Sequence, residues 1–245
     1  VNFLDLVDIS ERGMELVNPT SAQKVIDVGR AAGMRSGTRV IDFGSGYAEP
    51  LALWAAEFGI HGVGIEIRPK ACERARAKLQ QRGLAEQIEI VCMAGADYAF
   101  EPHSYDVATC VGASFVWGGF GPALKQLRKA IKPNGAVIIG EPYWLSSEAP
   151  ADLARREGFF AEWELLDLAR AEGFDMMYVA RASHDEWDRY ERENWLGLIQ
   201  WLRENPTHAE RDDVLRHLRK SQEEYLRFGR EFFGWAMYVL TPAIA

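Results

Sequence analysis

The chain has 245 residues, 48% of them hydrophobic, enough to bury one substantial core in a single domain spanning 1–245. Its formal net charge is −8, and no basic cluster stands out beyond Arg216 to Lys220. That balance argues against a nucleic-acid or anionic-membrane partner and leaves a small molecule as the default one.

Residues 3 to 16 have the pattern of a short amphipathic helix, and Asn18-Pro19-Thr20-Ser21-Ala22-Gln23 starts another, with Thr20 and Gln23 at capping-box spacing. Together they form an N-terminal cap over residues 1–35. A first strand is expected at about 38 to 43 and a second at about 62 to 66. Pro69 then opens a helix from Lys70 to Gln81 that ends at Gly83. Strands follow at Ile88 to Met93, Tyr105 to Val111 and Ala136 to Gly140, the last preceded by the turn Lys132-Pro133-Asn134-Gly135. Phe174 to Ala182 reads as a sixth strand and Glu231 to Leu240 as a seventh. Helices and strands alternate, so the expected class is α/β, a doubly wound Rossmann-like sheet.

A helical insertion, 183–229, separates the last two strands. Ser183 and Glu186 form a capping-box pair, and Trp187, Tyr190, Trp195, Leu198 and Trp201 recur near helical spacing. A second helix, roughly 209 to 229, carries Val214, Leu218 and Tyr225 on one side. The segment reads as a helical hairpin whose aromatic stripe packs it onto a neighbour. A lid over an acceptor pocket and a contact in a homodimer both stay open.

Cys72, Cys92 and Cys110 are odd in number and form no C-x-x-C pair, so reduced thiols are expected rather than disulfides or zinc ligands. The five histidines show no metal-binding spacing, and no metal is expected. The first thirty residues mix charges with apolar positions, which predicts neither a signal peptide nor a membrane span, and a cytoplasmic location.

The most informative run is Val40-Ile41-Asp42-Phe43-Gly44-Ser45-Gly46-Tyr47-Ala48-Glu49. It joins a buried strand to a helix through a glycine loop that lets backbone approach a ligand. The amide groups opening the next helix favour a carboxylate or phosphate. A dinucleotide or S-adenosylmethionine fits such a loop. Counting from Gly44 and Gly46, the place of a third glycine is taken by Glu49, which would repel a pyrophosphate yet suits the ammonium of a methionine moiety. Glu66, twenty residues past Gly46 at the end of the second strand, is placed to accept hydrogen bonds from a ribose.

With this loop and Glu66 in this order, the chain resembles a class I S-adenosylmethionine-dependent methyltransferase. It is similar over nearly its whole length to a group of small bacterial methyltransferases, through Val111-Gly112-Ala113-Ser114, Gly118-Gly119-Phe120, Gly140-Glu141-Pro142-Tyr143-Trp144, Trp187-Asp188-Arg189-Tyr190-Glu191 and Phe233-Gly234-Trp235. The resemblance implies a seven-stranded sheet in the order 3-2-1-4-5-7-6, its last strand antiparallel, with the cofactor bound by residues 36–144. It implies that Asp42, Gly44, Ser45, Gly46 and Glu49 surround the methionine end and that a backbone carbonyl of Val111 faces the ammonium. Ile67 and Met93 would pack on the adenine. Where the family carries an Asp for the adenine amino group, this chain has Ala94, which leaves Asp97 or backbone groups near Gly95 and Ala96 to read the base. Ser114, Phe115, Trp117 and Phe120 follow the fourth strand, the usual wall between cofactor and acceptor.

The chemistry so implied is in-line displacement of a methyl group from sulfur to a small-molecule acceptor. Glu141, just past the fifth strand, is the expected base, with Tyr143 and Trp144 bringing aromatic surface nearby, and His184 is the one histidine placed to act in its stead. Two other readings are a nicotinamide-dependent oxidoreductase, disfavoured by Glu49, and a protein that binds S-adenosylmethionine without transferring methyl.

Overall fold

The computed structural model describes residues 1–244. The chain opens with α1 (Phe3–Ser10) and α2 (Ala22–Ala31), then alternates β1 (Arg39–Phe43), α3 (Glu49–Phe58), β2 (His61–Glu66), α4 (Pro69–Gln81), β3 (Ile88–Cys92), β4 (Tyr105–Val111), α5 (Phe120–Ala130) and β5 (Ile131–Trp144). The second half adds α6 (Ala151–Glu157), β6 (Phe160–Ala161), α7 (Glu162–Ala171), β7 (Phe174–Arg181), α8 (His184–Glu204), α9 (Arg211–Glu224), α10 (Arg230–Phe232) and β8 (Phe233–Pro242).

The sheet runs β3-β2-β1-β4-β5-β8-β7, which is the order implied by the resemblance once the two-residue β6, paired beside the end of β5, is set apart. Six strands of this order run parallel, and β8 alone is antiparallel, to both β5 and β7. The carboxyl ends of β1, β2 and β4 therefore share one edge, on either side of the point where strand order reverses, the usual place for a ligand in such sheets.

Both faces of the sheet are covered. On one, α2 and α3 bury Val25, Val28, Leu51 and Trp54 against the strands. Gly29 permits this approach, since a Cβ there would lie 2.7 Å from the Trp54 ring, whose indole N–H donates to the Val25 carbonyl at 2.6 Å. On the other face, α5 and α7 bury Leu124, Leu127, Leu165 and Ala169. A third, smaller cluster of Leu198, Leu202, Val214 and Leu218 joins α8 to α9 and takes in Leu6 and Ile9 of α1. There α8 presses its backbone onto the end of α1 at Gly197, where a Cβ would meet the Ser10 carbonyl oxygen at 2.3 Å.

Several local expectations are corrected. The first helix stops at Ser10 rather than near residue 16, because Arg74 of α4 takes the carbonyls of Arg12 and Met14 that a longer helix would use internally. The second helix is capped by Ser21, which accepts from the Lys24 amide at 3.4 Å, while the Thr20 hydroxyl is buried without a partner. The turn 132–135 is a bulge within β5: Tyr105 pairs with Ile131 and Val107 with Ala136, so four residues stand opposite one. The last helix of the insertion ends at Glu224 and gives way to a wide π-type turn, Tyr225–Gly229, anchored by the Tyr225 hydroxyl on Asp188 at 2.8 Å. The Ser183–Glu186 capping box forms, with both reciprocal bonds present. Among the described residues no helix is long and apolar enough to cross a membrane, and no group of three or more metal-ligating side chains occurs.

Candidate functional site

The loop after β1 turns through Gly44 and Gly46, both at positive φ (73° and 54°), with Ala48 also left-handed at 56°. A Cβ on Gly44 would lie 2.4 Å from that of Ala113, so the glycine is needed to seat the loop against the end of β4. The loop is fixed by its neighbour strand: the amides of Gly44 and Ser45 donate to the Ile65 carbonyl at 2.8 and 3.0 Å, and that of Gly46 donates to Glu66 Oε2 at 2.8 Å.

Glu66 is buried and holds more than the loop. Its Oε1 accepts from the amide and Nε of Arg68 at 2.9 and 3.1 Å, and the Arg68 guanidinium reaches across to Glu11 at 2.9 Å and Asp8 at 3.3 Å on the N-terminal helix. One buried cation thus ties β2, the glycine loop and α1 together. Burial pushes Glu11 up to about 7 despite the opposing charge of Arg68, and raises Asp8 for the same reason. Tyr47 of the loop lies between two guanidinium groups, Arg74 at 3.9 Å and Arg68 at 5.6 Å from its ring centre.

A cavity of about 410 Å3 opens at this edge of the sheet. One wall is Gly44, Gly46, Glu66, Ile67, Ala94, Gly95 and Val111; the other comes from α1, α8 and α9, through Leu4, Glu11, Tyr190, Glu191, Asn194 and His217. Asn18 bridges the two. Its side-chain amide donates to the Val111 carbonyl at 3.2 Å, and Gly112 leaves room for its Oδ1, which would stand 2.3 Å from a Cβ there. The segment carrying Asn18 is held from α8 by Arg189, whose guanidinium donates to the carbonyls of Asn18 and Thr20 at 2.6 and 3.1 Å.

Other residues singled out in the sequence sit elsewhere. Asp42 is fully buried beneath the loop, where the Thr109 hydroxyl donates to it at 2.6 Å; burial raises its carboxyl to about 7. With Ser45, Asn18 and Thr20 it borders a separate cavity of about 20 Å3, in which the Ser45 and Thr20 hydroxyls lack partners. Glu49 also borders that small space, but its oxygens are taken by Lys78 at 2.7 Å and Arg82 at 2.9 Å, two cations of the helix behind the loop. Met93 packs into the core, and Ala96 and Asp97 are exposed on a single 3-10 turn outside the cavity.

The three expected catalytic side chains do not line the cavity. His184 is exposed at the start of α8. Tyr143 is buried on β5, stacked against the bare backbone of Gly234, where a Cβ would come within 2.4 Å of its ring. Glu141 accepts from the Ser114 hydroxyl at 3.0 Å, and its second oxygen is buried without a partner. Burial pushes Glu141 up to about 7, with the Ser114 bond opposing. A carboxyl raised from its ordinary 4.5 keeps its proton longer in the folded state, so the stability it contributes is complete below about 4.5 and lost as the pH rises through about 7. The Glu141→Gln variant removes that titration. Its stability relative to the parent should climb between about pH 4.5 and 8 by up to about 3 kcal/mol, read from denaturant melts; a constant difference would mean that Glu141 is already charged in the folded protein.

A methyltransferase domain model matches residues 40–135, from the first strand to the bulge in β5. An S-adenosylmethionine-dependent methyltransferase from Geobacter sulfurreducens, solved with S-adenosylhomocysteine, superposes with a TM-score of 0.91 at 31% identity over 97% of this chain and 98% of that one. The chain belongs to the S-adenosylmethionine-dependent methyltransferases. A second such methyltransferase, from Thiobacillus denitrificans and also bound to S-adenosylhomocysteine, agrees equally well, at 31% identity and 99% coverage of both chains. The uncharacterised protein YjhP of Escherichia coli K12 is 33% identical over 95% of this methyltransferase and 96% of its own length. S-adenosylmethionine is therefore the cofactor, and methyl transfer the reaction; the nicotinamide alternative is set aside.

The walls of the larger cavity suit that cofactor: a glycine cradle, a strand-end carboxylate twenty residues on, and a half-exposed apolar Ile67 beside Ala94 and Gly95. What sequence reasoning missed in this methyltransferase is Arg68, just past the second strand, and the side chains that close over the cavity, Asn18, Tyr190, Glu191, Asn194 and His217. The one available signal was the run 187–191, which carries the family resemblance without saying which of its side chains turn inward.

Proposed function

We propose that this methyltransferase acts on a small-molecule acceptor enclosed between the cofactor wall and the cap of α1, α8 and α9. The observation that carries the reading is a single cavity with both walls, strand ends on one side and cap helices on the other. Glu66 would hold the ribose, and Ile67, Ala94 and Gly95 the adenine; Gly44, Gly46 and the Val111 carbonyl with Asn18 would take the methionine end. Bound S-adenosylmethionine supplies a methyl group made electrophilic by its sulfonium. The chain's part is to fix an acceptor atom in line with that methyl and to keep water out, and positioning alone can contribute roughly 7–11 kcal/mol in well-oriented models. Val7 inside the cavity and Leu4, Phe115 and Val116 at its mouth provide apolar surface against which a bound acceptor would displace water.

The volume of the acceptor half tests this. Asn194→Trp should leave S-adenosylhomocysteine affinity within about twofold while cutting methyl transfer, followed as S-adenosylhomocysteine release across an acceptor screen, by about a hundredfold or more. Parallel loss of cofactor binding would place Asn194 in the donor site and undo the partition.

A further inference from the structure

The cap end of the cavity has a chemistry of its own. Glu191 of α8 lines it between Tyr190 and Asn194, and its carboxylate has no ion pair or hydrogen bond among the described residues. Arg189, two residues before it, and Arg68, the cation of the lining, are engaged elsewhere. Arg189 gives its guanidinium to Glu193 and to main-chain carbonyls, and Arg68 to Glu66, Glu11 and Asp8. Burial, and then the charge of Glu224, push Glu191 up to about 7; the Trp195 indole N–H opposes this from nearby without completing a hydrogen bond. His217, which also lines the cavity, is held toward its neutral form by burial and by Lys220. The lining therefore sets Glu11, Glu66 and Glu191 against the single cation Arg68.

The mouth is of opposite character. Phe3 and Phe115 are each 65% exposed, and Leu4 and Val116 join them in an apolar lip between α1 and the turn after β4. A carboxylate or phosphate acceptor would be repelled by the excess of carboxylates, and a purely apolar one would leave Glu191 desolvated and unpaired. An ammonium group on an apolar body answers both features, the charge at Glu191 and the body against the aromatic lip.

We infer that the acceptor is an amine carried on an apolar body, with its nitrogen held by Glu191. This rests on the assignment, proposed above, of the cap half of the cavity to the acceptor. The bound ammonium passes one proton to the Glu191 carboxylate. The nitrogen lone pair so freed forms the new N–C bond as the methyl's bond to sulfur breaks, leaving its electron pair on sulfur. The positive charge passes to the methylated nitrogen.

The test is calorimetric titration of the S-adenosylhomocysteine complex with octylamine and phenethylamine, beside octanoate, 1-octanol and phenylacetate. Octylamine and phenethylamine should bind at least about tenfold more tightly than the acids and the alcohol. Glu191→Gln should remove that preference, with S-adenosylhomocysteine affinity unchanged in both proteins. Equal affinity for amines, alcohol and acids, amine binding unaltered by Glu191→Gln, or no amine binding at all would each overturn the inference. Failure of the parent protein to bind S-adenosylhomocysteine would overturn instead the donor-site reading beneath it, and this inference with it.

Discussion

Gly46→Arg should abolish cofactor binding in a chain that still folds. Gly46 sits at φ 54° on the cavity wall, and a Cβ there would meet only the Val17 side chain at 3.3 Å and the Arg68 guanidinium at 3.8 Å. A non-glycine residue in this left-handed conformation costs about 1–2 kcal/mol, a loss that a domain of ordinary stability absorbs. Beyond Cβ, the arginine side chain has only the cavity to enter, and it brings a positive charge to where a sulfonium must come. Affinity for S-adenosylmethionine should fall by at least about a thousandfold, or about 4 kcal/mol. Gly46→Ala, which adds the backbone strain and little volume, should cost about tenfold or less. Circular dichroism would verify the fold and calorimetry the affinity; an arginine variant that binds normally would remove the glycine loop from the site.

The largest effect on stability is expected from Arg68→Ala. The guanidinium is buried among Glu66, Glu11 and Asp8, and its removal leaves three carboxyls facing one another with no cation between them. Breaking a buried pair in this way costs about 3–5 kcal/mol. The sign of its pH dependence follows from the same geometry. Without Arg68, Glu11 and Asp8 lose the cation that opposes their burial and titrate higher than they do in the parent, so the variant loses stability as the pH rises through those raised values. The deficit should thus be largest near pH 8 and shrink toward pH 5, where Glu11, already raised to about 7, is protonated in both proteins. A deficit independent of pH would mean that Arg68 acts through packing on Tyr47 rather than through charge. Because Arg68 also ties α1 to the cofactor wall, the variant should admit solvent to the cavity and weaken cofactor binding.

How much of this was legible beforehand depended on how far apart in the chain the interacting residues lie. The glycine loop and Glu66 could be read together because β1 and β2 are adjacent parallel strands, and twenty residues of strand, turn and helix bring Glu66 back beneath Gly46. The Ser183–Glu186 cap was legible because both bonds form within four residues. Glu49 was assigned to the cofactor from its place in the loop; its partners, Lys78 and Arg82, come from another helix about thirty residues later, and no local pattern announces them. Glu141 shows the limit for strands: alternation says that it is half buried at the active edge, not whether its carboxylate enters the cavity or, as here, turns to Ser114. The cap side chains were the least legible. Asn18, Glu191 and His217 line one cavity because α8 packs on α1 at Gly197, holds the Asn18 segment through Arg189 and carries α9 against it, and an amphipathic pattern does not reveal which part of a helix's polar face closes over a cavity.

Amide hydrogen exchange with and without S-adenosylhomocysteine measures directly where the cofactor contacts the chain. Slowed exchange is expected in 44–47, in 66–68 and around 94–95, and in the 16–20 segment that Arg189 holds over the methionine end, with α6 and α7 unchanged. Binding of S-adenosylhomocysteine with none of those four segments slowed would contradict the site described.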